Sequence, residues 1–216
     1  EAKDRSPDTT SHFSNGERTI SYFNQAYFVQ TLFKHRIVNV ILGGRYDQHS
    51  EYGSAFVPRV GLTKKIKRSH FKLLYSNSFR APAIENITLQ TDAGIKPEKT
   101  NVMELEIGQQ LSRKSILTVN FFDITTENPI IYVVDSNQND TYINFGSSGS
   151  KGIEAEFKVK DNWGYANINY AFYTVAGKEK VEDYAVSEND AVLLAFPAHK
   201  INLNACFKIS KNFYII

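Results

Sequence analysis

Cysteine is nearly missing from this chain: Cys206 stands alone, so no internal disulfide can staple the fold. The five histidines are scattered without His-x-His or His-x-x-x-His spacing, which leaves no local motif for a metal. There is no run of about eighteen apolar residues, and this excludes a transmembrane helix. The opening stretch EAKDRSPDTT is too polar to be a signal peptide. Neither absence bears on barrel strands, which alternate in polarity and escape a hydropathy scan.

Charge of one sign is also lacking. Twenty-five basic residues face twenty-three acidic ones, a net of +2, so the chain has no nucleic-acid-binding footprint. Basic clusters such as KKIKR at 64–68 are local. No Gly-x-Ser-x-Gly, Walker-type loop or other nucleophile constellation is present, and no enzyme activity or cofactor is expected.

What is there is aromatic and polar at once. Twelve tyrosines and fifteen phenylalanines lie among many Asn, Thr and Ser residues, a mixture that favours strands. In IKPEKTNVMELEIGQQL (95–111), Met103, Leu105 and Ile107 share one parity while Glu104, Glu106 and Gly108 share the other, with Gln109 breaking the apolar set. A period of two means a strand with one apolar and one polar face. Ile153, Ala155, Phe157 and Val159 alternate in the same way with Glu154, Glu156, Lys158 and Lys160. Ile201, Leu203, Ala205, Phe207 and Ile209 alternate with Asn202, Asn204, Cys206 and Lys208. Segments around 38–42, 71–75, 117–121 and 168–172 repeat the pattern with more noise. The stretch 20–34 is aromatic on both parities, and its facing stays open.

Connections come in two alternating sizes. Short polar turns are expected near Lys34–Arg36, Lys65–Ser69, Ser112–Lys114, Lys160–Asn162 and Ser210–Asn212, rich in residues that tolerate tight reversals. Longer connections are expected at 47–54, 81–96, 135–140 and 175–195. This describes an all-β, antiparallel up-and-down meander of about ten strands, several longer than is usual in soluble proteins. Transmembrane barrel strands need about 9–11 residues, with short turns on one side and long loops on the other. Aromatics near strand ends, at Tyr46, Tyr132, Tyr142, Phe145, Tyr165, Tyr173 and Phe196, would suit an interfacial girdle.

Three motifs in this order, YSNSFRAPAIENI (75–87), IKPEKTNVMELEIG (95–108) and NFGSSGSKGIEAEF (144–157), resemble the barrel of TonB-dependent outer-membrane receptors. GGRYDQHSEYGSAFVPRVGL (43–62) is similar to that family's strand, loop and Pro-Arg return strand, so the resemblance spans roughly residues 20–210. Pro82 and Pro97 fall where strands end and a missing amide costs little, and Gly152 can relieve a kink.

The resemblance implies a barrel of about 22 strands in the bacterial outer membrane, filled by an N-terminal plug and energised by a TonB complex. Residues 1–216 are accordingly expected to be a partial barrel domain, with the plug and the remaining strands absent. The implied function is uptake of a scarce nutrient complex of the siderophore-iron, haem, cobalamin or glycan class. Implied partners are outer-membrane lipid, the plug of the same protein, TonB and the small-molecule cargo.

Glu104 and Glu106 are read as lumen-lining residues on the polar face of a strand, where charge can be solvated or paired, rather than as a catalytic acid pair. With Arg59, Arg80, Glu154 and Glu156 they form a set of lumen- or plug-facing candidates, able to pair across strands or to hold the plug. Asp183, Tyr184, Glu188, Asn189 and Asp190 make the 175–195 loop a candidate for ligand contacts, because long loops on a rigid scaffold carry recognition. His12, His49 and His70 raise the thought of a haem or metal ligand, but no metal site is assigned. A plug-less porin or adhesin-like barrel and a soluble β-sandwich binding module remain the alternatives.

Overall fold

The computed structural model describes residues 2–5, 13, 16–88, 94–134, 138–182, 185–194, 196–211 and 213–215. Two short strands, β1 (Ala2–Lys3) and β2 (Thr19–Ile20), pair with each other ahead of the main sheet. The chain then runs through β3 (Asn24–Phe33), β4 (Asn39–His49), β5 (Gly53–Ile66) and β6 (Ser69–Arg80). After a short helix α1 (Ile84–Thr88) come β7 (Glu98–Gln110) and β8 (Ser115–Glu127), then a hairpin of β9 (Ile130–Val134) and β10 (Asp140–Asn144). It continues with β11 (Ser147–Asp161), β12 (Gly164–Thr174), β13 (His199–Lys208) and β14 (Tyr214–Ile215).

Ten strands form one sheet in the order β3-β4-β5-β6-β7-β8-β11-β12-β13-β14, every neighbour antiparallel. The β3–β4, β5–β6, β7–β8, β11–β12 and β13–β14 connections, where the short turns are expected, lie at one end of this meander, and the β4–β5, β6–β7, β8–β11 and β12–β13 connections lie at the other. The 47–54 connection is tighter than expected: β4 and β5 run on to His49 and Gly53 and leave three residues between them. The strand expected over 20–34 begins only at Asn24, because Thr19–Ile20 pairs with Ala2–Lys3 instead.

Register turns local alternation into two continuous faces. Phe33, Val40, Leu62, Leu73, Leu105, Phe121, Ile153 and Phe172 stand side by side across eight strands, with His199 next in the row. One residue along, on the opposite face, the row reads Asn39, Thr63, Lys72, Glu106, Asn120, Glu154, Ala171 and Lys200. A slip of one residue in any pair would exchange these faces, so the pattern itself fixes the register.

Much of the apolar face is exposed among the described residues. Ile201 is 73% exposed, Leu203 69% and Met103 55%, whereas among the described residues the buried aliphatic ones are Ile20, Ala55, Ile95 and Val175. A sandwich would bury that face, so the sandwich reading fails on this point. No helix among the described residues is long and apolar enough to cross a membrane.

The apolar face is bounded by aromatics at both ends. Tyr27, Tyr46 and Phe56 stand side by side near the long-loop end. Near the short-turn end Trp163 stacks on Phe207 with ring centroids 5.4 Å apart. Gln109, the break in the apolar parity, lies at this end opposite Ser69. Tyr165 and Tyr173 do not join a girdle: their parity places them on the polar face, beside Lys160 and Gly152.

Prolines avoid the hydrogen-bond ladder. Pro97 directly precedes β7, and Pro82 lies between β6 and α1. Pro58 is inside β5 but pairs only with Gly44, since the β5–β6 register starts at Arg59 opposite Ser76.

Candidate polar face and its concavities

Arg59, Arg80, Glu104, Glu106, Glu154 and Glu156 all lie on the polar face. Arg59 sits in the row Gln30, Gly43, Arg59, Ser76, Val102, Ile124 and Ser150. Glu104 has Leu74 and Phe122 as neighbours, and Glu156 has Thr118 and Asn169. The structure does not pair this set with itself. Arg80 binds Glu98, with Nε to Oε2 and Nη2 to Oε1 both 2.6 Å. Glu106 accepts from His70 Nε2 at 3.0 Å and has Lys72 Nζ at 3.9 Å. Glu156 binds Lys158 at 2.7 Å and accepts from Asn167 Nδ2 at 3.2 Å. Among the described residues, Arg59, Glu104 and Glu154 hold no ion pair.

Two glycines permit close approaches on this face. A Cβ on Gly108 would lie 1.9 Å from His70 Cε1, so the bare backbone lets the imidazole lie across it toward Glu106. A Cβ on Gly152 would lie 2.1 Å from the Phe172 carbonyl oxygen and 2.8 Å from Phe122 Cζ. Close approach is therefore what Gly152 provides.

Concavities follow one another along this face. Nearest the long loops, Phe122, Tyr173, Leu193 and Phe196 with Thr126 and Glu154 line a hollow of 440 Å³. Tyr173 and Phe196 meet edge to face at 5.8 Å, and the buried Tyr173 hydroxyl has no hydrogen-bond partner among the described residues. At mid-height Glu106, Asn120, Glu154, Glu156, Lys200 and Asn202 line a second hollow of 440 Å³. At the short-turn end a hollow of 720 Å³ is lined by Lys65, Arg68, Arg113, Lys114, Lys158 and Lys160 together with His70, Tyr165 and Asn204. Arg59 lines a separate hollow of 400 Å³ with Arg45. Sequence reading named the mid-height carboxylates but missed the aromatic and basic hollows, whose residues come from many strands.

Described residues of the acidic loop bond to one another. Lys180 Nζ donates to the Asp190 carboxylate and to its carbonyl, both at 2.8 Å, and Ala191 N donates to Asn189 Oδ1 at 2.9 Å. The hydrogen bond from Lys180, then its charge, holds the Asp190 carboxyl below the usual carboxylate range. Glu188 lines a 440 Å³ depression with Lys178 and Lys180. Asp183, Tyr184 and His12 lie outside the described residues.

The remaining expected histidines have structural partners. His49 sits between Tyr22 and Tyr52, with centroids 5.5 and 4.9 Å away, and accepts from Glu51 N. Burial there pushes the Tyr52 phenol well above its ordinary range. Among the described residues no three His, Cys, Asp or Glu side chains come together as metal ligands.

Residues 3–213 match the family described as TonB dependent receptor-like, beta-barrel. Similar solved structures include the siderophore receptor PirA from Acinetobacter baumannii (16% identity, TM-score 0.71), covering 88% of this chain and 32% of that one. A ferric enterobactin receptor (PfeA) mutant from Pseudomonas aeruginosa gives 13% identity and a TM-score of 0.73, covering 92% of this chain and 32% of that one. The alcaligin outer membrane receptor FauA from Bordetella pertussis gives 14% and 0.62, covering 88% and 35%. The chain thus spans about a third of the length of these structures. No curated protein matches it.

Proposed function

The chain belongs to the TonB-dependent receptor β-barrel family, and its meander is part of a large transmembrane barrel; from that premise we propose that it serves in uptake of a ferric siderophore-class complex across a bacterial outer membrane. In this reading the exposed apolar face meets lipid, and the polar face lines a lumen. A plug domain of the same protein occupies that lumen, and residues 1–216 are one part of the barrel domain. A TonB complex supplies the energy by remodelling the plug.

One observation carries the reading: a sheet ten strands wide, in a chain of this family, leaves much of its apolar face exposed among the described residues while charges and concavities gather on the other face. In water that much uncovered apolar surface would drive association. In lipid it is the favourable arrangement.

The long-loop end is where cargo would first meet the barrel. Phe122, Tyr173 and Phe196 offer aromatic faces, and the unpartnered Tyr173 hydroxyl offers a donor to an oxygen-rich chelate. Arg59, Glu104, Glu106, Glu154 and Glu156, with Arg80, are proposed to line the lumen against the plug. Glu188, Asn189 and Asp190, together with Asp183 and Tyr184, are proposed to form the outer rim of the entry.

Deleting the gene and measuring uptake of labelled ferric siderophores in iron-starved cells tests this. Uptake that is lost on deletion and abolished by a protonophore supports it. Unchanged uptake of every ferric chelate tried, or uptake indifferent to the protonophore, would reject the ferric-siderophore or the energy-coupled part respectively.

A further inference from the structure

The basic hollow at the short-turn end has an unbalanced set of charges. Of its six cations, Lys114 is neutralised by Asp161 at 2.6 Å and Lys158 by Glu156 at 2.7 Å. Lys65, Arg68, Arg113 and Lys160 have no carboxylate partner among the described residues. His70, the remaining titratable neighbour apart from Tyr165, is already committed to Glu106. Four like charges around one concavity repel one another and focus a positive potential into it.

The four cations come from separate places in the chain. Lys65 closes the polar face of β5, Arg68 lies in the β5–β6 turn, Arg113 in the β7–β8 turn, and Lys160 near the end of β11. β5 and β11 are four places apart in the sheet, ~19 Å at ~4.8 Å per strand. A single phosphate or carboxylate cannot touch both ends of such a row. An extended polypeptide crossing it needs ~6 residues at ~3.3 Å each. Gln110 of β7 stands within this row, and Tyr165, Asn167 and Asn204 of β12 and β13 continue the lining beyond Lys160, all with side chains able to donate to or accept from a peptide backbone.

We propose that the Lys65–Arg68–Arg113–Lys160 concavity holds an extended acidic segment of the plug domain, running across the short-turn end of the lumen. This rests on the plugged-barrel reading given above and names the chemistry of one plug contact. The segment carries Asp or Glu at intervals that meet the row of cations, so docking it relieves their mutual repulsion. Contact there is electrostatic and salt-sensitive, which suits a segment that must be released when the plug is remodelled.

Photocrosslinking in the full-length protein, in its native membrane, tests the assignment. Tyr165 lines the concavity, and Tyr165→p-benzoylphenylalanine keeps an aromatic ring in place. Asn120→p-benzoylphenylalanine, in the mid-height row with Glu106 and Glu154, reports plug contact independently of the basic hollow. The expected product at 165 is an intramolecular crosslink to a peptide outside residues 1–216 and rich in Asp and Glu. Its yield should fall about tenfold in a Lys65→Glu, Arg113→Glu background, where like charges face the segment, while the Asn120 product persists.

A crosslink from 165 to a peptide without acidic excess, to lipid, or to nothing in the same chain, with the Asn120 product present, would overturn this inference and leave the plug in place. Loss of intramolecular products at both positions would overturn the inference and the plug reading together.

Discussion

Arg80 grips Glu98 with two 2.6 Å contacts across the β6–β7 pair, and the same Glu98 Oε1 accepts the Ile130 amide at 2.7 Å. One carboxylate thus ties the base of the α1 loop to the start of the β9–β10 hairpin. The Glu98 side chain is 13% exposed and Arg80 63%, so half of the pair is solvated and its worth is discounted accordingly. Glu98→Ala should release both loops, lowering the local opening free energy by about 1–2 kcal/mol. Hydrogen exchange at the Ile130 amide checks it: faster exchange there with unchanged exchange in mid-β7 is expected, and no change would make the pair ornamental.

Close packing at Gly152 gives a second expectation. Gly152→Ala forces a Cβ against the Phe172 carbonyl and should cost about 1–3 kcal/mol as the strands shift. Gly61→Ala, where the nearest atom is 3.5 Å away, should be tolerated. Comparing the temperatures at which the two variants lose the compact, heat-modifiable form on a gel separates them.

Facing in β13 is testable by charge. Leu203→Arg puts a cation into the apolar row and should cost about 2–4 kcal/mol if it lies near the bilayer midplane. Asn204→Arg adds one to the polar face and should assemble normally. Equal assembly yields in outer-membrane fractions would abolish the facing assignment.

The Lys180–Asp190 contact sets a pH dependence. Because the folded carboxyl lies below its ordinary value, the contact contributes to loop order above the ordinary carboxylate range and loses that contribution as pH falls through the depressed value. Lys180→Gln should return Asp190 to the ordinary range, and added salt should weaken the shift. Carbon-13 titration of the Asp190 carboxyl reads both effects.

Much of this fold was legible because a strand's polarity repeats every two residues and needs no partner to be seen. Met103–Ile107 against Glu104–Gly108 is enough to assign two faces, and polar clusters such as Ser112–Lys114 locate the turns. Tyr165 and Tyr173 were also within reach: they share parity with Asn167 and Asn169, which places them on the polar face rather than in a girdle. The partner of Arg80 was not legible, since register rather than composition selects Glu98 over Glu104. The basic hollow was hidden for the same reason, its cations being drawn from separate turns that only the sheet brings together. Gln109 was visible as an exception but needed its position beside Ser69 at the strand end to be explained.

The central claim, one face in lipid and the other lining a lumen, is tested most directly by spin labels placed singly from position 103 to 107 of β7 in a Cys206→Ser background. Collision with oxygen, which partitions into lipid, should peak at Met103, Leu105 and Ile107. Collision with a polar nickel chelate should be low at those three, and collision with oxygen should fall to minima at Glu104 and Glu106. This alternation is the result the account predicts; oxygen accessibility that is flat along the strand, or low on the apolar parity, would contradict it.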